Sequence, residues 1–254
     1  MLISPTRRTK KRQRNNNKRY NGTKVIKSKE KFGLRGNLTP SKFTPQTAAQ
    51  LDALESFNEG FHLGLCGFAG TGKTYTALHI SFQSIMAGSY DKVVIVRSLA
   101  QTRDVGFLPG DVKEKAEEFE APYRGICSEI FGRDDAYTIA VKERNLQFVT
   151  TSFLRGITIN NAVVVVDEPQ NMTFRELDTV ITRIGQNCRI IFAGDVHQDD
   201  ITDEKKREYS GFRDFLKIIE TVDMFEFIDF TVDDIIRSGL VKSYIIAKHK
   251  LGMG

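Results

Sequence analysis

The stretch CGFAGTGKT, residues 66–74, crowds three glycines ahead of a Lys-Thr pair. Gly67, Gly72, Lys73 and Thr74 hold the fixed positions of the pattern G-x-x-x-x-G-K-T, with Phe68, Ala69, Gly70 and Thr71 between them. Glycine lets a backbone turn its N–H groups inward around phosphate oxygens, where side chains would collide. Lys73 then reaches the β- and γ-phosphates, Thr74 ligates Mg²⁺, and the helix that follows aims its positive end at the anion. These residue types at this spacing predict a nucleoside triphosphate site.

A second stretch, VVVVDEPQN at 163–171, ends an apolar run in two acids. A buried strand would deliver Asp167 beside the phosphate loop to hold the metal through water. Glu168 would orient and deprotonate an attacking water. Kinases that share the loop generally lack an acid so placed, so the pair favours hydrolysis over group transfer. The bland alternative, an Asp-Glu that merely ends a strand, is weakened by the glycine loop. A third stretch, AGDVHQ at 193–198, brings Gln198 to the mouth of the site. A glutamine there can bond the γ-phosphate or its water and report hydrolysis to nearby loops. Alone the signal is weak; as the third element at successive strand ends it is informative.

Parallel strands must carry these stretches. FHLGLCG (61–67) reads as a short buried strand entering the loop, and KTYTALHISFQSIMAG (73–88) as the helix leaving it, closed by Gly88. DKVVIVRS (91–98), LQFVTTS (146–152), NAVVVVDEPQN (161–171) and CRIIFAGD (188–195) read as further strands. Apolar runs of this length, bounded by turn residues and alternating with helical patterns, predict a parallel sheet covered on both faces. Two predicted strands lie in sequence between the phosphate-loop strand and the Asp-Glu strand, so at least one can be inserted between them. That order belongs to motor-type ATPases. MFEFIDF (224–230) offers a sixth strand, and residues 232–250 a closing helix. The body opens on KFTPQTAAQLDALESF (42–57), a helix with Thr44 as N-cap, Pro45 in its first position and Leu51, Leu54 and Phe57 on one face. The stretch from Leu99 to Asn145 is too long for a plain crossover. It contains VGFLPGD (105–111) and an amphipathic pattern, and predicts an insertion on the ligand side of the sheet.

Bulk properties bound the rest. A length of 254 residues with 40% hydrophobic content suits one core domain with additions. No run approaches the ~18–20 apolar residues of a membrane span, and no apolar segment follows the N-terminal charges as a secretory signal requires. Cys66, Cys127 and Cys188 are odd in number and far apart, which argues against a disulfide framework and fits a reducing cytoplasm. His62, His79, His197 and His249 show no metal-ligand spacing, so no zinc site is expected. Residues 1–41 hold 13 Lys and Arg against one acid, Glu30, and this +12 leaves −7 for the remainder of a chain whose net charge is +5. A run this basic and this poor in apolar residues predicts a disordered arm. Such an arm attracts polyphosphate backbones through counterion release, or simply solubilises.

Together GFAGTGKT, VDEPQ and GDVHQ resemble the nucleotide site of superfamily 1 helicases, and the chain more closely resembles the PhoH-like ATPases. That resemblance covers nearly all of residues 42–254. It includes VGFLPGD (105–111), the stretch from Phe153 through NNA to DEPQN (153–171), TRIG (182–185) and DDIIRSGLV (233–241). Pro169 departs from the alanine that many relatives carry. The resemblance implies a single RecA-like α/β P-loop domain over 42–254 behind a basic disordered tail over 1–41. It implies ATP with Mg²⁺, with Gln46 at the adenine edge and Arg237 as the arginine finger. Superfamily 1 helicases take that arginine from a second core, and the chain after Gln198 is too short for one at typical domain sizes. The finger is then expected from a neighbouring copy in a homo-oligomeric ring, a hexamer, or by folding back in cis. Partners implied are RNA or single-stranded DNA, with no membrane. The alternative function is a regulatory ATP-binding protein whose nucleotide state governs assembly with protein partners.

Several residues keep two readings. Arg97, Arg103, Arg155 and Arg183, at strand ends or motif junctions, contact phosphates or nucleic acid, or are solvated surface charges. Phe107 and Leu108, in an expected exposed loop, stack on bases in a pore or pack the inserted helix. Cys66 reads as a small buried residue, and Phe212, Phe215, Ile218 and Ile219 as a helical core stripe.

Overall fold

The computed structural model describes residues 34–98, 112–195 and 211–251. Gln198, Arg103, Phe107 and Leu108 lie outside them. Six parallel strands form the sheet: β1 (His62–Gly67), β2 (Lys92–Arg97), β3 (Leu146–Thr150), β4 (Ala162–Asp167), β5 (Cys188–Gly194) and β6 (Phe225–Phe230). Their order is β3-β2-β4-β5-β1-β6, the RecA-like α/β arrangement. One strand does separate the phosphate-loop strand from the Asp-Glu strand. It is β5, which follows both in sequence, and neither of the two strands that lie between them along the chain. Those two, β2 and β3, pair outward on the far side of β4.

All six residues of β4 are buried, because it sits in the middle with both faces covered. Val163 and Val165 point to one core and Val164 and Val166 to the other, as the two-residue period of a strand requires. The first core is closed by α1 (Ala48–Asn58), α2 (Lys73–Met86), α3 (Val112–Phe131) and α4 (Ala136–Lys142), through Phe57, Phe82, Tyr123 and Tyr137 among others. The second is closed by α5 (Phe174–Thr182) and α6 (Phe212–Ile219). Helix α7 (Gly239–Lys250) follows β6. Among the described residues no helix is long and apolar enough to cross a membrane.

Four expectations shift. Helix α1 starts three residues beyond the expected position, at Ala48, with Thr47 as N-cap. The Thr47 hydroxyl accepts from the Gln50 N–H at 3.4 Å, a bond Thr44 is too far upstream to make. This turns the helix so that Gln50 and Ala53 are buried and Leu51 is exposed. Likewise α6 buries Phe212, Phe215 and Ile219 but leaves Ile218 exposed. The expected edge of the tail at residue 41 falls inside packed chain. Leu34 and Leu38 join the first core, and Arg35 and Asn145 exchange two hydrogen bonds, of 3.2 and 2.9 Å. Finally, the expected closing helix is interrupted. Thr231 and Asp234 form a capping box around a single 3-10 turn, Ile235 is extended, and α7 begins only at Gly239. That interruption carries residues 235–238 over the phosphate loop.

Candidate functional site

The phosphate loop joins β1 to α2. Gly67, Gly70 and Gly72 take φ values of 133°, 79° and 80°, where other residues are strained. At Gly67 a Cβ would also collide with the Phe230 carbonyl of the adjacent strand β6. The loop is drawn tight around its own carbonyls. The Thr71 hydroxyl donates to Phe68 O at 2.8 Å, and Lys73 Nζ donates to Gly67 O at 2.7 Å and to Phe68 O at 2.6 Å. Burial lowers the Lys73 pKa, opposed by the carboxylates of Asp195, Glu168 and Asp167 around it. An anion entering the loop would relieve that desolvation and give the ammonium a better partner than two neutral carbonyls.

Strand β4 delivers the acids. Asp167, 4% exposed, faces Ala193 of β5 in the sheet register, and its Oδ1 accepts from Thr74 Oγ1 at 2.7 Å. This bond joins the first two sequence motifs. Oδ2 accepts from the hydroxyl of Tyr123, also at 2.7 Å. A threonine hydroxyl and a carboxylate held together at the start of α2 are hard oxygen donors of the kind Mg²⁺ takes, so Thr74 and Asp167 fit that ion.

Glu168 follows in the left-handed region, at φ 51°. Its N–H donates to Ala193 O at 3.0 Å, which leaves the side chain free of the strand. Gln170 Nε2 donates to the Glu168 carboxylate, and Gln170 Oε1 accepts from Asp195 N at 3.2 Å. The Glu168 carboxylate is thereby tied to the end of β5. Burial, then the charge of Asp167, pushes the Glu168 pKa up, which makes it a stronger base when ionised. Pro169 starts a short 3-10 turn, where its missing N–H costs nothing.

Lys73, Thr74, Asp167 and Glu168 thus gather at the C-terminal ends of β1 and β4. Gln46 lies just before α1. It is exposed, and its backbone N–H donates to Gln50 Oε1 at 2.8 Å. Gln50 is the buried one, and its Nε2 would lie 3.4 Å from a Cβ at Gly72. With the helix register set by Thr47, Gln50 stands out as a polar residue on the inward face. The sequence reading placed the cap too early to notice it.

Arg237 lies on its own chain's loop. Its Cγ would be 3.2 Å and its Nε 3.8 Å from a Cβ at Gly70, and Ile236 bears on Gly72 in the same way. Arg97 is no bland surface charge. Burial works against its ionised form, but the Tyr123 phenol and the Asp167 and Glu168 carboxylates outweigh it, and its guanidinium lies 5.6 Å from the Phe119 ring centroid. Arg155 is exposed, and Arg183 caps the end of α5. Cys66, buried under the loop, has its thiol pushed up to about 12 by burial, so it is inert packing. Tyr123 carried no sequence signal. It sits in the middle of an amphipathic helix, where an aromatic reads as core.

The family described as "PhoH-like protein" matches residues 42–248. A PhoH-like protein of Bacillus subtilis (strain 168) is 33% identical over 186 residues, covering 72% of this chain and 57% of the relative. Protein PhoH of Escherichia coli (strain K12) is 29% identical over 214 residues, covering 83% and 60%. The chain therefore spans about three fifths of the length of these relatives. Solved structures similar to it include the Sulfolobus solfataricus SWI2/SNF2 ATPase core in complex with dsDNA, with 14% identity, a TM-score of 0.41 and coverage of 78% and 47%. The Pif1 helicase from Candida albicans gives 15%, 0.37, 74% and 41%. The phosphate loop and the acid pair stand inside the matched region, and the chain belongs to the PhoH-like protein family.

Proposed function

We propose that this protein is a Mg²⁺-dependent ATPase whose turnover is coupled to RNA or single-stranded DNA. The observation that carries the first half is the 2.7 Å bond from Thr74 to Asp167, which brings the two motifs to one point with Glu168 beside it. Lys73, released from the loop carbonyls, would bind the terminal phosphates. Glu168 would take the proton of the attacking water while Gln170 holds its carboxylate in line. Bound Mg²⁺ would neutralise charge on the β- and γ-oxygens. Arg237, whose side chain lies beside its own Gly70, would add positive charge in cis. Gln46, with Gln50 to which it is bonded beside Gly72, would read the base. The nucleic-acid half rests on the basic N-terminal segment and on the resemblance to helicase cores, and a ring of six copies rests on the resemblance alone.

A second reading, an ATP-governed assembly protein, draws on α7. Leu240 and Tyr244 on it and Leu251 just past its end follow helical spacing and are 82%, 67% and 72% exposed. The test is phosphate release from Mg²⁺-ATP with and without poly(U) or poly(dT), alongside a native mass. The proposal expects Mg²⁺-dependent hydrolysis stimulated by one of the polymers. Hydrolysis that neither polymer changes selects the second reading, and no hydrolysis under any condition contradicts the first.

A further inference from the structure

We infer that Tyr123 is a positioning residue of the metal site, its hydroxyl fixing the orientation of the Asp167 carboxylate from the inserted helix α3. The inference rests on the nucleotide reading above and adds a residue to it. Tyr123 is 0% exposed and Asp167 4%, so neither group has water to fall back on. Their bond is 2.7 Å, in the range of a strong hydroxyl-to-carboxylate bond.

The direction of that donation follows from the acceptor: an ionised carboxylate has no proton to give, so the single phenol proton goes to Asp167 Oδ2. Thr74 Oγ1 holds the other oxygen, at 2.7 Å. Two donors, one on each oxygen, fix the plane of a carboxylate that a single bond would leave free to rotate. Each oxygen retains a second lone pair, so both donors can stay in place when a cation arrives. A phenylalanine would fill the same space in the core. What distinguishes tyrosine at 123 is this one bond.

The experiment compares Tyr123→Phe with wild type by anisotropy of a fluorescent ATP analogue, in EDTA and across a Mg²⁺ titration. Affinity in EDTA should stay within about twofold, while the Mg²⁺ concentration for half-saturation should rise about tenfold, the worth of one hydrogen bond to a charged group. A merely structural Tyr123 would lower the melting temperature and weaken binding equally with and without metal. The double variant Tyr123→Phe/Asp167→Asn leaves no buried carboxylate short of a donor, so it guards against misfolding of the single one. It should need no more Mg²⁺ than Asp167→Asn alone, and an additive shift overturns the inference. An unchanged half-saturation in Tyr123→Phe overturns it too. If wild-type binding ignores Mg²⁺ altogether, the nucleotide reading falls with it; a Mg²⁺-dependent wild type beside an unaltered Tyr123→Phe sinks this inference alone.

Discussion

Lys73, Asp167, Glu168 and Asp195 lie close enough to act on one another's charges, and their roles divide by what holds each of them. Lys73 is parked on carbonyls, Asp167 is fixed by two hydroxyls, and Glu168 is held by an amide. The residues legible in the sequence were those whose chemistry is written locally, in a spacing or at a strand end. Gln50, Arg97 and Tyr123 were not, because each depends on a partner 22 or more positions away that only the packed chain supplies. The same dependence on packing gives a pH prediction away from the site. Burial, then the Arg189 charge, lowers the His62 pKa from 6.5 to about 4, and its Nδ1 accepts from Ile190 N at 3.1 Å. The folded state therefore favours neutral imidazole, while the unfolded chain takes up a proton near pH 6.5. The stabilisation is full above pH 6.5 and is lost as pH falls towards 4, amounting to at most roughly 3 kcal/mol. His62→Gln keeps an acceptor without the titration. Urea unfolding between pH 4 and 7 should show a flatter stability profile for the variant, and parallel profiles would contradict this origin.

Among elements, all six strands were readable as apolar runs between turn residues, since burial on both faces writes itself into consecutive valines and isoleucines. The sheet order was readable only as far as an insertion next to the phosphate-loop strand; which strand enters is decided by long-range pairing. Helix ends were less legible, because several residues near 44–47 can cap and the competition is settled by tertiary contact. The 34–41 segment was illegible for the same reason, since a charged stretch hides Leu34 and Leu38. This yields a paired prediction. A chain lacking residues 1–33 should melt within about 2 °C of the full chain. One lacking 1–41 also loses the buried Leu38 and the Asn145 bonds, and should melt several degrees lower, as expected for a loss of about 2 kcal/mol or more. Equal melting of the two truncations would place the 34–41 segment outside the cooperative unit. In the shorter truncation, the slope of log affinity for poly(U) against log salt should also become shallower. An unchanged slope would leave the basic segment without a role in binding.

At the scale of the molecule, the proposed cis role of Arg237 bears on how copies would cooperate. Its side chain lies beside its own Gly70, so under that proposal each copy would hold a loop and a finger of its own. Arg237→Ala should bind ATP normally and hydrolyse it poorly, since such an arginine is worth ~10³ or more in related chemistry. Mixing it with Lys73→Ala subunits should restore no activity, because no intact loop would meet an intact finger within one chain. Rescue on mixing would return the finger to a neighbouring copy.

The measurement closest to the central claim is made on Glu168→Gln. The substitution removes the base and leaves Asp167, Thr74 and Lys73 to hold the nucleotide. ATP recovered from the purified variant after incubation with Mg²⁺ should be intact and bound near one per chain, with phosphate release lowered by at least ~10². Phosphate release at the wild-type rate would contradict the account, and with it the assignment of this strand end as the place where water is activated.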